Sequence, residues 1–137
     1  MKYEFIDHTA DIMFKAYGKD LEGSFSNAAI AMTKSFCEEK VKGNLKKEIS
    51  VEGNDLENLL YNFLEELLVL FDSEHFILSK IVEIKIDSMK FKLSAKVVGD
   101  IAESYEIYSH IKAVTYNNMF VREEEEGRWV SQVVLDV

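Results

Sequence analysis

Between Asp55 and Phe71 the chain places Leu56, Leu59, Leu60, Phe63, Leu64, Leu67, Leu68 and Phe71 at helical spacing, an apolar arc too wide for a helix covered on one side only. Such a helix has to lie centrally, against a sheet or another helix, and the rest of the chain must supply the cover. Asn54, with Glu57 three residues on, predicts a capping box at its start. A second helical repeat runs through Leu21, Phe25, Ala28, Ala29, Met32 and Phe36. Asp20 is its expected N-cap, and it should end near Cys37.

Strand patterns occupy most of the remainder. Tyr3–Ile6 and Ile12–Tyr17 carry β-branched and aromatic residues on either side of Asp7-His8-Thr9-Ala10-Asp11, which reads as a tight reversal. Glu38–Lys47 reads as an exposed loop and Glu48–Glu52 as a half-buried strand. Phe76–Ile86 and Phe91–Val97 predict a hairpin turning at Asp87-Ser88, with Gly99–Ser104 as a polar connection. Strand-like content resumes from Tyr105 to Met119, and the acidic run Glu123–Glu126 reads as a solvated hairpin tip before Trp129-Val130. Two helices among six or seven strands, grouped rather than alternating, predict one α+β domain over residues 1–137, its sheet largely antiparallel or mixed, with both helices packed on it.

Composition narrows the function. With 16 basic against 25 acidic residues the formal charge is −9, which opposes direct binding to a phosphate backbone. No proline-rich, glycine-rich or repeated stretch divides the chain. One cysteine, Cys37, allows no intrachain disulfide, and no stretch resembles a signal peptide or a membrane span. A cytoplasmic location is the expectation.

The chemistry-bearing residues stand at the two ends. Asp11 closes the first reversal, and Asp136 sits in the apolar ending Val133-Val134-Leu135-Asp136-Val137, whose last residue adds a terminal carboxylate. Carboxylates next to apolar strands are costly unless paired, hydrogen-bonded or bound to a cation. One reading is local: Asp7 and Thr9 bond the backbone and Asp11 closes the turn. The other is a hard-cation site formed by Asp11, Asp136 and Val137, because two carboxylates about 4 Å apart repel by roughly 4 kcal/mol at an effective dielectric of 20 and a divalent ion reverses the sign. Oxygen-only donors suit calcium, magnesium or manganese rather than zinc. The second reading requires that the two ends of the chain meet.

Four stretches taken together resemble the archease family: Tyr3-Glu4-Phe5-Ile6-Asp7-His8-Thr9-Ala10-Asp11-Ile12, the leucine-rich Asp55–Phe71 segment, Lys112-Ala113-Val114-Thr115-Tyr116, and Gln132-Val133-Val134-Leu135-Asp136-Val137. The resemblance spans nearly the whole chain in the same order. It implies a small cytoplasmic, non-catalytic protein that activates the GTP-dependent RNA-splicing ligase of tRNA splicing, promoting guanylylation of the ligase and its multiple turnover. It further implies metal ligation by Asp11, Asp136 and Val137; our own reading of the donors puts calcium foremost, with magnesium or manganese as alternatives, and sets Asp7 and His8 behind the ligands or toward the partner. tRNA would be met only through the ligase, and neither a membrane nor direct nucleic-acid binding is expected.

Two positions depart from the family's pattern. Asn117 stands where a histidine commonly follows the Lys-Ala-Val-Thr-Tyr segment, and Tyr105 where another histidine is expected, so no histidine role carries over to that half. His110 is read as a displaced equivalent or an exposed strand residue, and His75 as a loop residue. The chain has no glycine-rich phosphate loop, nucleophile–base pair or Walker-type lysine, so no ligase activity of its own is expected; the competing functions are a stand-alone metal-dependent phosphoester hydrolase using Asp7 or Asp11 as base, and a general chaperone or adaptor.

Overall fold

The computed structural model describes residues 1–8, 10–125 and 127–137. Seven strands and two long helices follow the order β1 (Tyr3–Ile6), β2 (Ile12–Gly18), α1 (Leu21–Lys34), β3 (Leu45–Glu52), α2 (Leu56–Glu74), β4 (Phe76–Asp87), β5 (Lys92–Ile101), β6 (Ala113–Glu125) and β7 (Arg128–Asp136). The α+β expectation is met by two antiparallel sheets, one ordered β1-β2-β7-β6 and the other β3-β5-β4.

The wide apolar arc of α2 is explained by this division. Leu59, Leu60, Phe63, Leu64 and Leu67 are buried, and the helix touches β6 of one sheet and β3, β4 and β5 of the other. Covering one helix from two sheets removes more apolar surface from water than a single sheet would, at about 25 cal/mol per Å². α1 likewise bridges β2 and β7 to β4, and a buried polar pair fixes it on the first sheet. The Ser24 hydroxyl donates to the Ala16 carbonyl at 2.9 Å, so the Ser131 hydroxyl donates to Ser24 at 2.7 Å and no buried donor is left open.

The α2 cap lies one residue later than predicted. Asp55, in extended conformation, accepts from the Asn58 N–H at 2.7 Å, and the Asn58 Oδ1 accepts from the Asn54 N–H at 2.9 Å. An aspartate and an asparagine thus share the reciprocal roles expected of Asn54 and Glu57. β3 begins at Leu45, inside the segment read as loop, and β5 runs on to Ile101 before a single 3-10 turn at Ala102–Ser104. Phe91, read as a strand residue, takes a left-handed turn conformation with φ of 52°.

The strand expected from Tyr105 is corrected more fully. Residues 105–112 form an irregular strap across the C-terminal end of α1, because their polar groups find partners off any ladder. Tyr108 donates its N–H to the Phe36 carbonyl at 3.1 Å and its hydroxyl to the Lys34 carbonyl at 2.8 Å, satisfying helix-end acceptors. The Tyr105 hydroxyl accepts from the Lys42 N–H at 2.9 Å and donates to Asp100 Oδ2 at 2.6 Å. That bond, with others from the Ile101 N–H and the Asn44 amide, holds the Asp100 carboxyl below its ordinary value.

Among the described residues, no helix or second sheet packs as a layer on the outer face of the first sheet. By strand alternation Phe14, Ala16, Val133 and Leu135 face the helices, while Lys15, Tyr17, Val130 and Val134 face away, yet Val130 and Val134 are fully buried. Long side chains lie along this face: the Arg122 guanidinium lies 3.9 Å from the Phe120 ring centroid and that of Arg128 lies 4.4 Å from the Tyr17 centroid. Among the described residues, no helix is long and apolar enough to cross a membrane.

Two outcomes test this account. A Cβ at Gly99 would stand 2.0 Å from the Ile77 carbonyl oxygen and 2.7 Å from the Phe76 ring, so Gly99→Ala is expected to lower unfolding free energy by about 1–3 kcal/mol in urea titrations. Because the folded-state pKa of Asp100 is depressed, its stabilisation is complete above the unfolded value, 3.8, and is lost as pH falls through the folded one. Asp100→Asn should therefore lower the urea midpoint at pH 7, with the gap to the unsubstituted protein narrowing as pH is taken below 3.8.

Candidate functional site

Register brings the two acidic ends together. β2 and β7 pair from Gly18↔Trp129 to Ile12↔Leu135; Asp11 directly precedes Ile12 and Asp136 directly follows Leu135, so the aspartates stand at facing positions one step beyond the outermost rung of this ladder. β6 joins from the other side, with Ala113 opposite Asp136 and the Lys112 N–H donating to the Asp136 carbonyl at 2.8 Å. The tip is therefore the common end of three strands, β2, β7 and β6, together with the β1–β2 loop.

Around that end the residues singled out in the sequence are placed unequally. Asp11 is about one-third exposed, Asp136 is exposed, and Val137 is half-buried with its side chain against the core. His8 Nδ1 stands 3.7 Å from Asp11 Oδ2, near enough for an ion pair when the imidazole is protonated but longer than a hydrogen bond. Asp7 is exposed in the same loop. Thr9 lies outside the described residues, as does Glu126 at the acidic hairpin. No three Asp, Glu, His or Cys side chains converge as a metal site among the described residues, so a cation at this tip requires an oxygen of Val137 beside the two aspartates. The donor set is then oxygen alone, on a solvent-accessible edge, and fits a hard divalent ion.

The other histidines and their replacements lie elsewhere in the fold. His75 caps the C-terminus of α2 in left-handed conformation, φ 56°, and its Nδ1 lies 2.9 Å from Glu103 Oε2. His110 is on the strap beside Phe36, Leu68 and Asp72, not on a strand. Tyr105 is committed to Asp100 and Lys42, and Asn117 is exposed on β6. Cys37 is buried.

Two features of the tip escaped the sequence reading. Lys112 holds the last rung through its backbone; only its place at the head of the Lys112–Tyr116 segment pointed to it. Ala10 has φ of 68°, a left-handed conformation that costs a residue with a Cβ roughly 1–2 kcal/mol, and nothing about an alanine announces it. The loop that carries Asp7, His8 and Asp11 thus includes a residue in a strained backbone conformation.

Two helices between two antiparallel sheets, with an acidic loop and the last residues of the final strand meeting at one end, define a small α+β protein. The model of the Archease protein family matches residues 3–137. The chain is 40% identical over 141 residues to protein archease of Pyrococcus abyssi, covering 99% of each, and 40% identical to protein archease of Methanosarcina mazei, covering 99% of this chain and 96% of the relative. The solution structure of Methanobacterium thermoautotrophicum protein 1598 superposes with a TM-score of 0.82 at 33% identity, covering 99% of both chains. The chain belongs to the archease family.

Relief of the Ala10 strain gives a test of the loop. Ala10→Gly is expected to hold or raise the thermal midpoint, by an amount equivalent to at most about 1 kcal/mol, because glycine adopts positive φ without cost. A fall in the midpoint would show that the alanine methyl group contributes packing that outweighs the strain.

Proposed function

We propose that this archease activates a GTP-dependent RNA-splicing ligase by presenting a divalent cation, or the carboxylates that would hold one, at the tip formed by β2, β7 and β6. The observation that carries the reading is the pairing of Ile12 with Leu135, which sets Asp11 and Asp136 at facing positions one step beyond that rung although they are separated by nearly the whole chain. Like charges brought together at a strand end are destabilising unless a cation or a basic partner offsets them, and nothing in the fold requires aspartate at both places.

In this reading Asp11, Asp136 and an oxygen of Val137 hold the ion, calcium foremost, and His8 and Asp7 orient the loop behind Asp11 or face the ligase. When bound, the ion would supply positive charge to phosphate oxygens at the partner's nucleotide site. The chain's own residues contribute position: a rigid sheet end fixes the carboxylates, and the Lys112 N–H bond to Asp136 keeps the final residues of β7 in the sheet. The partner performs the bond-making chemistry, and RNA is met through it. The net charge of −9 supports this division, since a direct RNA-binding face needs a cationic footprint.

The deciding assay is multiple-turnover RNA joining by the cognate ligase with GTP and metal, with this protein absent, present, or replaced by Asp11→Ala or Asp136→Ala. Stimulation by the unsubstituted protein should fall at least about tenfold in both variants, with calorimetric calcium binding lost in parallel and the folded midpoint unchanged or raised. Stimulation that survives both substitutions would separate the partner from the tip. Metal-dependent phosphoester turnover by the protein alone, with no effect on the ligase, would establish the hydrolase reading instead.

A further inference from the structure

The edge strand β6 leaves its ladder just beside the tip. From Thr115 to Phe120 it advances five residues while β7 advances two, from Val134 to Gln132, an excess of three residues. Bulges of this kind re-aim side chains and interrupt pairing, and one this large forfeits several ladder hydrogen bonds. The excursion is nevertheless well anchored. Asn118 turns it with φ of 55°, and its carbonyl accepts from Gln132 Nε2 at 2.7 Å; the Asn117 N–H donates to Thr115 Oγ1 at 3.3 Å.

Its other anchor is α2. The Tyr116 and Tyr61 rings stack at 4.3 Å between centroids with 8° between planes, and Asn58 Nδ2 donates to the Tyr116 hydroxyl at 2.7 Å. Asn58 is itself fixed, since its Oδ1 accepts from the Asn54 N–H and from Asn62 Nδ2. This bracing lies at the surface, with Tyr116 52% exposed and Asn117 and Asn118 exposed. Surface groups are thus used to hold three extra residues in one shape.

We infer that residues 116–118 form a second contact for the protein partner that docks at the acidic tip, and that Tyr61 is the positioning residue that sets their shape. The inference rests on the ligase reading given above. Three observations favour it. The excursion begins within about 10 Å of the Asp136 rung, since Ala113 opposite Asp136 is three residues before Tyr116. It presents a half-exposed, conformationally fixed tyrosine flanked by amide side chains, the low-entropy aromatic and adaptable polar groups that suit a protein surface. It carries no charge from Tyr116 to Met119, which suits a protein surface better than a phosphate backbone.

The test compares Tyr61→Ala, Tyr61→Phe and Asn117→Glu in the ligation assay, varying the concentration of each protein, with calcium titration and thermal unfolding measured alongside. Tyr61→Phe keeps the stack and should match the unsubstituted protein. Tyr61→Ala and Asn117→Glu should raise the concentration needed for half-maximal stimulation about tenfold while the maximal stimulation and calcium binding are unchanged. A split of this kind, with rescue by phenylalanine, is not produced by a purely structural role. Should Tyr61→Ala fail to fold, Asn117→Glu decides alone, because the residue is exposed. Unchanged half-saturation in folded variants, while the unsubstituted protein stimulates, overturns this inference and leaves the ligase reading standing. Absence of stimulation by the unsubstituted protein defeats both, and binding of Asn117-dependent single-stranded RNA without ligase would reassign the surface to nucleic acid.

Discussion

The pairing of β2 with β7 is the constraint on which the rest of the molecule depends. It joins the beginning of the chain to its end across seven consecutive rungs, from Gly18↔Trp129 to Ile12↔Leu135, and every other strand of that sheet attaches to one of these two. Its inner face, with Phe14, Ala16, Val133 and Leu135, receives α1, and its serine pair fixes that helix in place. A long-range ladder of this kind closes late, because its loop entropy must be overcome before its contacts form. The acidic tip therefore exists only in the completed fold.

The second sheet solves a different problem. α2 is apolar over more of its circumference than one sheet can cover, and β3, β4 and β5 close over the side that β6 leaves open. The outward face of that second sheet needs no cover. On its middle strand Lys92 lies between Glu52 and Asp87, and Lys96 between Glu48 and Glu83, so each lysine has a carboxylate on both neighbouring strands. The outward face of the first sheet has no such alternation and instead relies on guanidinium groups laid across aromatic rings. Two sheets in one small protein thus meet solvent by different means.

Sequence periodicity sufficed where structure is decided locally. Both helices, the β1–β2 reversal and the β4–β5 hairpin follow from spacing, because each is decided by residues a few positions apart. The division into two sheets was not legible, since alternation in a strand says which face is buried and not which strand lies beside it. Residues 105–112 misled because tyrosine and isoleucine favour strands, whereas here the tyrosine hydroxyls and backbone amides are bound to the end of α1 and to the segment after it. At the tip, Asp11 and Asp136 stood out as charges in apolar sequence, but their meeting depended on register. The left-handed Ala10 left no mark, because alanine does not favour that conformation; Asn117-Asn118 did carry a turn signal, since asparagine tolerates positive φ, but it lay inside a stretch read as strand.

The antiparallel register also gives the molecule a polarity from end to end. Tyr3 pairs with Ala16 and the Tyr17 N–H bonds to the Lys2 carbonyl, so Met1 lies at the end of the sheet opposite the one that carries Asp11, Asp136 and Val137. Chain appended before Met1 would leave the domain at its blunt end, clear of the tip. Chain appended after Val137 would leave beside Asp11 and Asp136. The two ends are therefore not equivalent handles: one leaves the sheet away from these carboxylates, and the other leaves it next to them.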